Sequence, residues 1–284
     1  MKLAVAQVAP VLGELQANLD RSRELIAQAV AEGAELIVFP ELNLSGYLTR
    51  NQLALTANDP RLRAAIDAAG DAAVLLGFPE ADNGATYNSA ALFIAGEPRH
   101  VHRKLILPSY HPFTEGQNFH PGNALRAVDT PLGRAAILLC EDAVQPALAT
   151  VAVHDGAELL LLPANSAHSL LPEVSNREHW HAITSCYSRL TQSFVIFANR
   201  VGQEGPFRFW GGSHVLDPQG QLLAQAPQDE EALLLVELDH HEVARQRQRL
   251  PLLQNARLDV VQQELRRISP ESSPGSMPQA GVSA

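Results

Sequence analysis

Cysteine is scarce in this chain: 284 residues include two, Cys140 and Cys186. At most one disulfide can form, which excludes the cross-linked framework of a small secreted domain. Long apolar runs are missing as well. No stretch approaches the roughly eighteen consecutive apolar residues of a membrane helix. The opening segment MKLAVAQVAPVLGEL has neither the apolar run nor the cleavage pattern of a signal peptide. Positive charge is in deficit, with 21 Lys and Arg against 31 Asp and Glu and a formal charge of −10. The basic residues are scattered apart from small groups such as Arg245, Arg247 and Arg249. A nucleic-acid binder needs a basic stripe to neutralise phosphates, so nucleic acid is not the expected partner. The expectation is a cytoplasmic protein with no nucleic-acid or membrane partner.

What is present is a globular composition, 46% hydrophobic and 18% charged. Residues 3–8 form a short apolar strand pattern, followed through Pro10 and Gly13 by a helical pattern over 18–31. Leu19, Ile26 and Val30 share one face of that helix, and Gly33 supplies its C-terminal cap. Residues 35–40 then read as a buried strand stopped by Pro40, completing a strand–helix–strand unit. The same grammar recurs, with helices predicted over 61–69, 146–154 and 173–192. Strands are predicted over 72–78, 86–94, 100–105, 135–140, 158–162, 194–198, 215–217 and 233–238. This alternation, with several helix-free strand pairs, predicts a layered α/β architecture on one core. No linker interrupts it, so residues 1–268 read as one domain and the Ser-, Pro- and Gly-rich residues 269–284 as a disordered tail.

Four places can carry chemistry. In Phe39-Pro40-Glu41, a carboxylate follows a strand-ending proline, where α/β sheets bind ligands. Alone, Glu41 reads more simply as a solvated loop residue. Lys104 opens an apolar triplet at a strand end, facing a cavity or snorkelling to solvent. Cys140 ends an apolar strand before Glu141 and Asp142. A strand-to-helix turn suits a nucleophilic thiol, since backbone N–H groups there can face a developing oxyanion, but a buried free cysteine is also an ordinary small hydrophobe. Glu115 lies in the polar loop Phe113-Thr-Glu115-Gly116, where a carboxylate in plain water is the simpler reading.

Taken in order, Pro40-Glu41, Arg103-Lys104-Leu-Ile-Leu-Pro108 and Cys140-Glu-Asp142 resemble the Glu–Lys–Cys signature of the nitrilase (carbon–nitrogen hydrolase) superfamily. The resemblance runs from residue 3 to about residue 253, and Phe113-Thr-Glu115 follows Lys104 at the family's spacing of eleven residues. It implies a four-layer α-β-β-α sandwich. It also implies Cys140 as nucleophile, Glu41 as general base, Lys104 as electrostatic stabiliser and Glu115 as a fourth polar group that positions the amide or assists proton transfer. The implied activity is cofactor-free and metal-free thiol hydrolysis of a small-molecule amide, with a nitrilase or a non-catalytic binding protein as the alternatives.

The Cys-Glu-Asp start and the upstream Glu-Leu-Asn-Leu-Ser-Gly-Tyr47 resemble the glutaminase domains of glutamine-dependent NAD synthetases, which makes a glutamine-like ω-amide one expected substrate. Tyr110 fits that branch, whereas Val144 stands where those domains usually carry tryptophan. By the same resemblance Glu141 joins the substrate-binding set with Tyr110. Asn165 and Ser166, at a strand end near the same face, are further candidates for substrate contact.

Three other segments have simpler readings. His179 and His181, two apart on a helix, point to different faces and do not form a joint metal site. Residues 202–212, with Phe207, Phe209 and Trp210, read as a Gly-rich aromatic loop at the pocket mouth or as ordinary packing, and Cys186 reads as a packing residue. The resemblance further implies a homodimer or higher homo-oligomer, with residues 257–267 as an arm reaching the neighbour.

Overall fold

The computed structural model describes residues 1–48, 54–169 and 175–269. The predicted tail from 270 and positions 173–174 of the predicted long helix lie outside the described residues.

The strands are β1 (Lys2–Gln7), β2 (Leu36–Val38), β3 (Ala73–Asp82), β4 (Ala85–Ile94), β5 (Glu97–Arg103), β6 (Ala127–Thr130) and β7 (Gly133–Ile137). They continue with β8 (Leu159–Ala164), β9 (Phe194–Asn199), β10 (Val201–Glu204), β11 (Phe207–Trp210), β12 (His214–Leu216), β13 (Leu222–Gln225) and β14 (Ala232–Glu237). The helices are α1 (Leu15–Ala31), α2 (Pro60–Ile66), α3 (Glu115–Asn118), α4 (Pro146–His154), α5 (Asn176–Tyr187), α6 (Glu242–Arg249) and α7 (Leu258–Ile268). Two six-stranded sheets result, one ordered β14-β1-β2-β3-β4-β5 and the other β13-β12-β9-β8-β7-β6.

The period of two along each strand decides the layering. In β1, Leu3 and Val5 join a core cluster that also holds Ile137, Leu161, Ile196 and Val215 of the other sheet, so this cluster fills the space between the sheets. Ala4 and Ala6 face the other way, with Leu25 and Ile26 of α1 and Leu62 of α2. Likewise Leu159 and Leu161 of β8 point between the sheets, while Leu160 and Leu162 pack with Ala152 of α4 and Trp180 of α5. Helix, sheet, sheet, helix is the four-layer sandwich expected from the sequence. Gly33 closes α1 as predicted: at φ +83° it turns the chain while its N–H and that of Ala34 donate to the Val30 and Ala29 carbonyls.

Two readings need correction. Residues 202–212 are mostly an antiparallel hairpin, with Val201 opposite Trp210 and Glu204 opposite Phe207, turning through Gly205 at φ +53°. Phe207 and Phe209 are buried and Arg208 exposed, a strand alternation that the local glycine content concealed. Cys186 is not a packing residue but is exposed, because the buried stripe of α5 runs through Trp180, Thr184 and Tyr187. The predicted arm at 257–267 is helix α7, none of whose residues is buried in the protomer. Among the described residues no helix is long and apolar enough to cross a membrane.

Candidate active site

The parallel strands β2, β7 and β8 deliver their C-terminal ends to one edge of the sandwich, where open α/β sheets bind ligands. Beyond β2 the chain passes Phe39 and Pro40 and presents Glu41, which is fully buried. Its Oε1 accepts from Lys104 Nζ at 2.7 Å and from Asn88 Nδ2 at 2.8 Å, and its Oε2 accepts from the Asn165 N–H at 3.0 Å. The turn that carries Glu41 lies directly on β3. A Cβ on Gly77 would fall 2.5 Å from the Leu42 nitrogen and 2.8 Å from the Pro40 oxygen, so only glycine admits this close approach. Asn43 locks the same turn by accepting from the Gly77 N–H and donating to Ser22 Oγ.

Lys104 follows β5 and is as buried as its partners, which rules out the snorkelling alternative. Its ammonium also donates to both oxygens of Glu115 at 2.8 Å, so two carboxylates share one cation. Glu115, at the start of α3, is 5% exposed rather than a loop carboxylate in water. The Tyr47 hydroxyl donates to its Oε1 at 2.9 Å. Burial lifts the Glu115 carboxyl to about 7, with Lys104 pulling down and the Glu41 charge adding to the lift. For Lys104, burial disfavours the ammonium, but Glu115 and Glu41 more than reverse this and hold it well above the usual lysine range. Tyr47 is held protonated by burial and by the same two carboxylates.

Cys140 opens a 3₁₀ turn (Cys140–Val144) just past β7 and is half-buried. Its φ of +46° is costly for a residue with a Cβ and marks a strained strand-to-turn corner. Burial and the Glu41 charge push its thiol well above the ordinary range, while Lys104 and the Asn165 N–H pull it down. These influences favour the thiol over the thiolate at this sulfur. Asp142 does not point its charge at the sulfur. It accepts instead from the backbone of Leu105, Ile106 and Leu139 and from His102.

The predicted residues separate on this geometry. Glu41, Lys104 and Glu115 form one hydrogen-bonded set, and their charges act on the Cys140 thiol. Asn165 is buried, and neither atom of its carboxamide has a hydrogen-bond partner among the described residues. Glu141 is half-buried and has no hydrogen-bond or ion-pair partner among the described residues; burial and the Glu41 and Asp142 charges raise its carboxyl, against the pull of Lys104. Tyr110 stays at the rim, 57% exposed, its ring edge-on to Phe113. Ser166 is held by Asn199, which takes both its N–H and its C=O, and its hydroxyl accepts from the Trp210 indole.

Sequence reasoning assigned no role to Asn88, Tyr47, His102 or Asn199. Asn88 was detectable as a lone amide in a strand that continues Ser-Ala-Ala-Leu-Phe-Ile. The others needed the long-range contacts. His181 stacks on His214 with ring centroids 4.8 Å apart. Among the described residues no group of three or more His, Cys, Asp or Glu is arranged to hold a metal.

Comparison with known proteins gives a match to the carbon–nitrogen hydrolase family model over residues 2–248, most of the chain. The chain belongs to the carbon–nitrogen hydrolase family. It is 31% identical over 268 residues to an (R)-stereoselective amidase of a Pseudomonas species, covering 91% of this chain and 92% of that one. It is 29% identical over 247 residues to the glutamine-dependent NAD(+) synthetase of Thermotoga maritima, covering 84% of this chain but only 42% of the synthetase. The chain thus spans less than half the length of that relative. A carbon–nitrogen hydrolase structure from Helicobacter pylori superposes with a TM-score of 0.81 at 26% identity, covering 94% of this chain and 99% of that one. The nitrilase-type sandwich and the family inferred from the ordered motifs are both borne out.

Proposed function

We propose that this protein hydrolyses the C–N bond of a small amide through a thioester on Cys140, without a cofactor. The observation that carries the reading is the buried Glu41–Lys104–Glu115 set next to a cysteine on a strained turn. The amidase among its relatives supports an amide rather than another carbon–nitrogen bond. Glu41 takes the thiol proton as sulfur bonds to the carbonyl carbon. Negative charge gathers on the carbonyl oxygen, where the Lys104 ammonium and the N–H groups opening the 140–144 turn stabilise it. The C–N bond then breaks as Glu41 passes its proton to the nitrogen, and ammonia or an amine departs. Water, deprotonated by Glu41, attacks the thioester; the acid leaves and the thiol is restored. Glu115 fixes Lys104 in place, and the unpartnered Asn165 carboxamide is suited to pair with an amide or carboxylate group of the substrate.

The unpaired Glu141 carboxylate suits a substrate whose far end carries an ammonium, such as a glutamine-like ω-amide, with Tyr110 and Ser166 completing the wall. The test is ammonia release from ω-amides, simple aliphatic amides, carbamoyl compounds and nitriles, with wild type and Cys140→Ala. Release from amides that vanishes in the variant supports the reading. Preference for nitriles, or release that survives the substitution, overturns it.

A further inference from the structure

The segment bearing Lys104 and the turn bearing Cys140 belong to different sheets, yet one side chain joins them. Asp142, fully buried, accepts four hydrogen bonds. Its Oδ1 takes the N–H groups of Leu105 at 3.0 Å and Ile106 at 2.9 Å. Its Oδ2 takes the N–H of Leu139 at 3.2 Å and His102 Nε2 at 3.0 Å. His102 lies two residues before Lys104 and Leu105 directly after it, so both flanks of the lysine are tied to a residue two places beyond the cysteine. A carboxylate only accepts, so the proton shared with His102 sits on Nε2. His102 Nδ1 is buried and without a hydrogen-bond partner among the described residues. The imidazole itself is fully buried. Hydrogen bonds to a carboxylate are charge-assisted and directional, so these four fix the corner in orientation as well as in distance.

We propose that Asp142 and His102 are a positioning pair that sets the separation and angle between the Lys104 ammonium and the Cys140 sulfur. Neither touches the substrate. The inference rests on the role proposed above for Cys140, and its test is chosen to separate the two. Carboxamide replacement in Asp142→Asn puts an NH₂ against the Leu139 N–H or against the Leu105 and Ile106 N–H groups, so one anchor is lost while shape and volume persist. His102→Gln keeps a donor for Asp142, and His102→Leu removes it.

The measurements are the alkylation rate of Cys140 by iodoacetamide across pH, kcat and KM on an amide that wild type hydrolyses, and thermal unfolding. For Asp142→Asn and His102→Leu, Cys140 alkylation is expected to slow about tenfold with a displaced pH midpoint. Their kcat is expected to fall at least thirtyfold while KM stays within about threefold. His102→Gln is expected to recover most of both losses. If alkylation pH profile and kcat stay at wild-type values while only the unfolding temperature drops, the pair is merely structural and the proposal is overturned. Should Asp142→Asn not fold, the two His102 variants carry the same comparison. Amide hydrolysis that survives Cys140→Ala would instead overturn the nucleophile assignment.

Discussion

Replacing Tyr47 by Phe removes one oxygen from the site and leaves the ring where it is. The ring packs edge-on against Phe113, Phe207 and Phe209 at 6.4, 5.6 and 6.1 Å between centroids, contacts that Phe retains. What is lost is the 2.9 Å hydrogen bond to Glu115 Oε1. A hydrogen bond to a charged group contributes about 1.5–3 kcal/mol. The lower end of that range corresponds to about one pH unit at about 1.4 kcal/mol per unit. The sign follows from which form the hydroxyl serves: it stabilises the carboxylate, so without it the proton stays on to higher pH. Glu115 already titrates near 7, and its ionised form is the one that holds Lys104. The acidic limb of the pH–rate profile is therefore expected to move up by about one unit, which means roughly a fivefold loss at pH 7 and almost none at pH 9. The assay is kcat/KM for amide hydrolysis from pH 5.5 to 9.5. An unmoved limb, or an equal loss at every pH, would refute the linkage between Tyr47 and Glu115.

Four further outcomes are expected. His214 is held down to about 4 by burial, so its contribution is complete above about pH 6.5 and drains away as pH falls towards 4, amounting to about 3 kcal/mol. Denaturant unfolding at pH 7 and 4.5 reads this loss, and His214→Gln should lose less over the same interval. Gly77→Ala drives a methyl into the backbone beneath Glu41 and is expected to cost about 1–3 kcal/mol of stability and at least about tenfold in kcat, measured by thermal unfolding and ammonia release. Leu161→Ala opens a cavity between the sheets and should lower unfolding free energy by about 2.5–5 kcal/mol in urea titrations. Static light scattering is expected to give a dimer or larger homo-oligomer that covers Val261, Leu265 and Ile268 of α7, each at least half exposed in the protomer; a monomeric mass would count against it.

The sandwich was legible in the sequence because its strands are short apolar runs with helices between them, and because glycine or proline ends so many of them. β6 and β13 were missed, since Ala127–Thr130 and Leu222–Gln225 are short edge strands with exposed and polar positions. The candidate site was legible as four separated residues, each with a bland reading; only their order along the chain made a pattern. Burial then decides against those readings for Glu41, Lys104 and Glu115. The supporting residues were opaque for a different reason. Nothing local to Asp142 says that its partners lie near residue 104, and the amide of Asn199 bears on Ser166 only because β8 and β9 are neighbours.

β1 pairs with β2 on one side and with β14 on the other, and β14 is among the last strands in the chain. Throughout synthesis the stretch from Leu3 to Gln7 therefore waits with one bare edge, an open row of amide and carbonyl groups that invites pairing with any passing strand. The arrival of residues 232–237 ends that exposure, and the N–H of Leu238 then fastens to the carbonyl of Met1. The fold thus completes late: the sheet that holds Glu41 and Lys104 gains its outermost strand from a segment made after all the proposed catalytic residues. A nascent chain halted short of β14 would carry the four residues with the β1 edge still unpaired, a margin prone to aggregation.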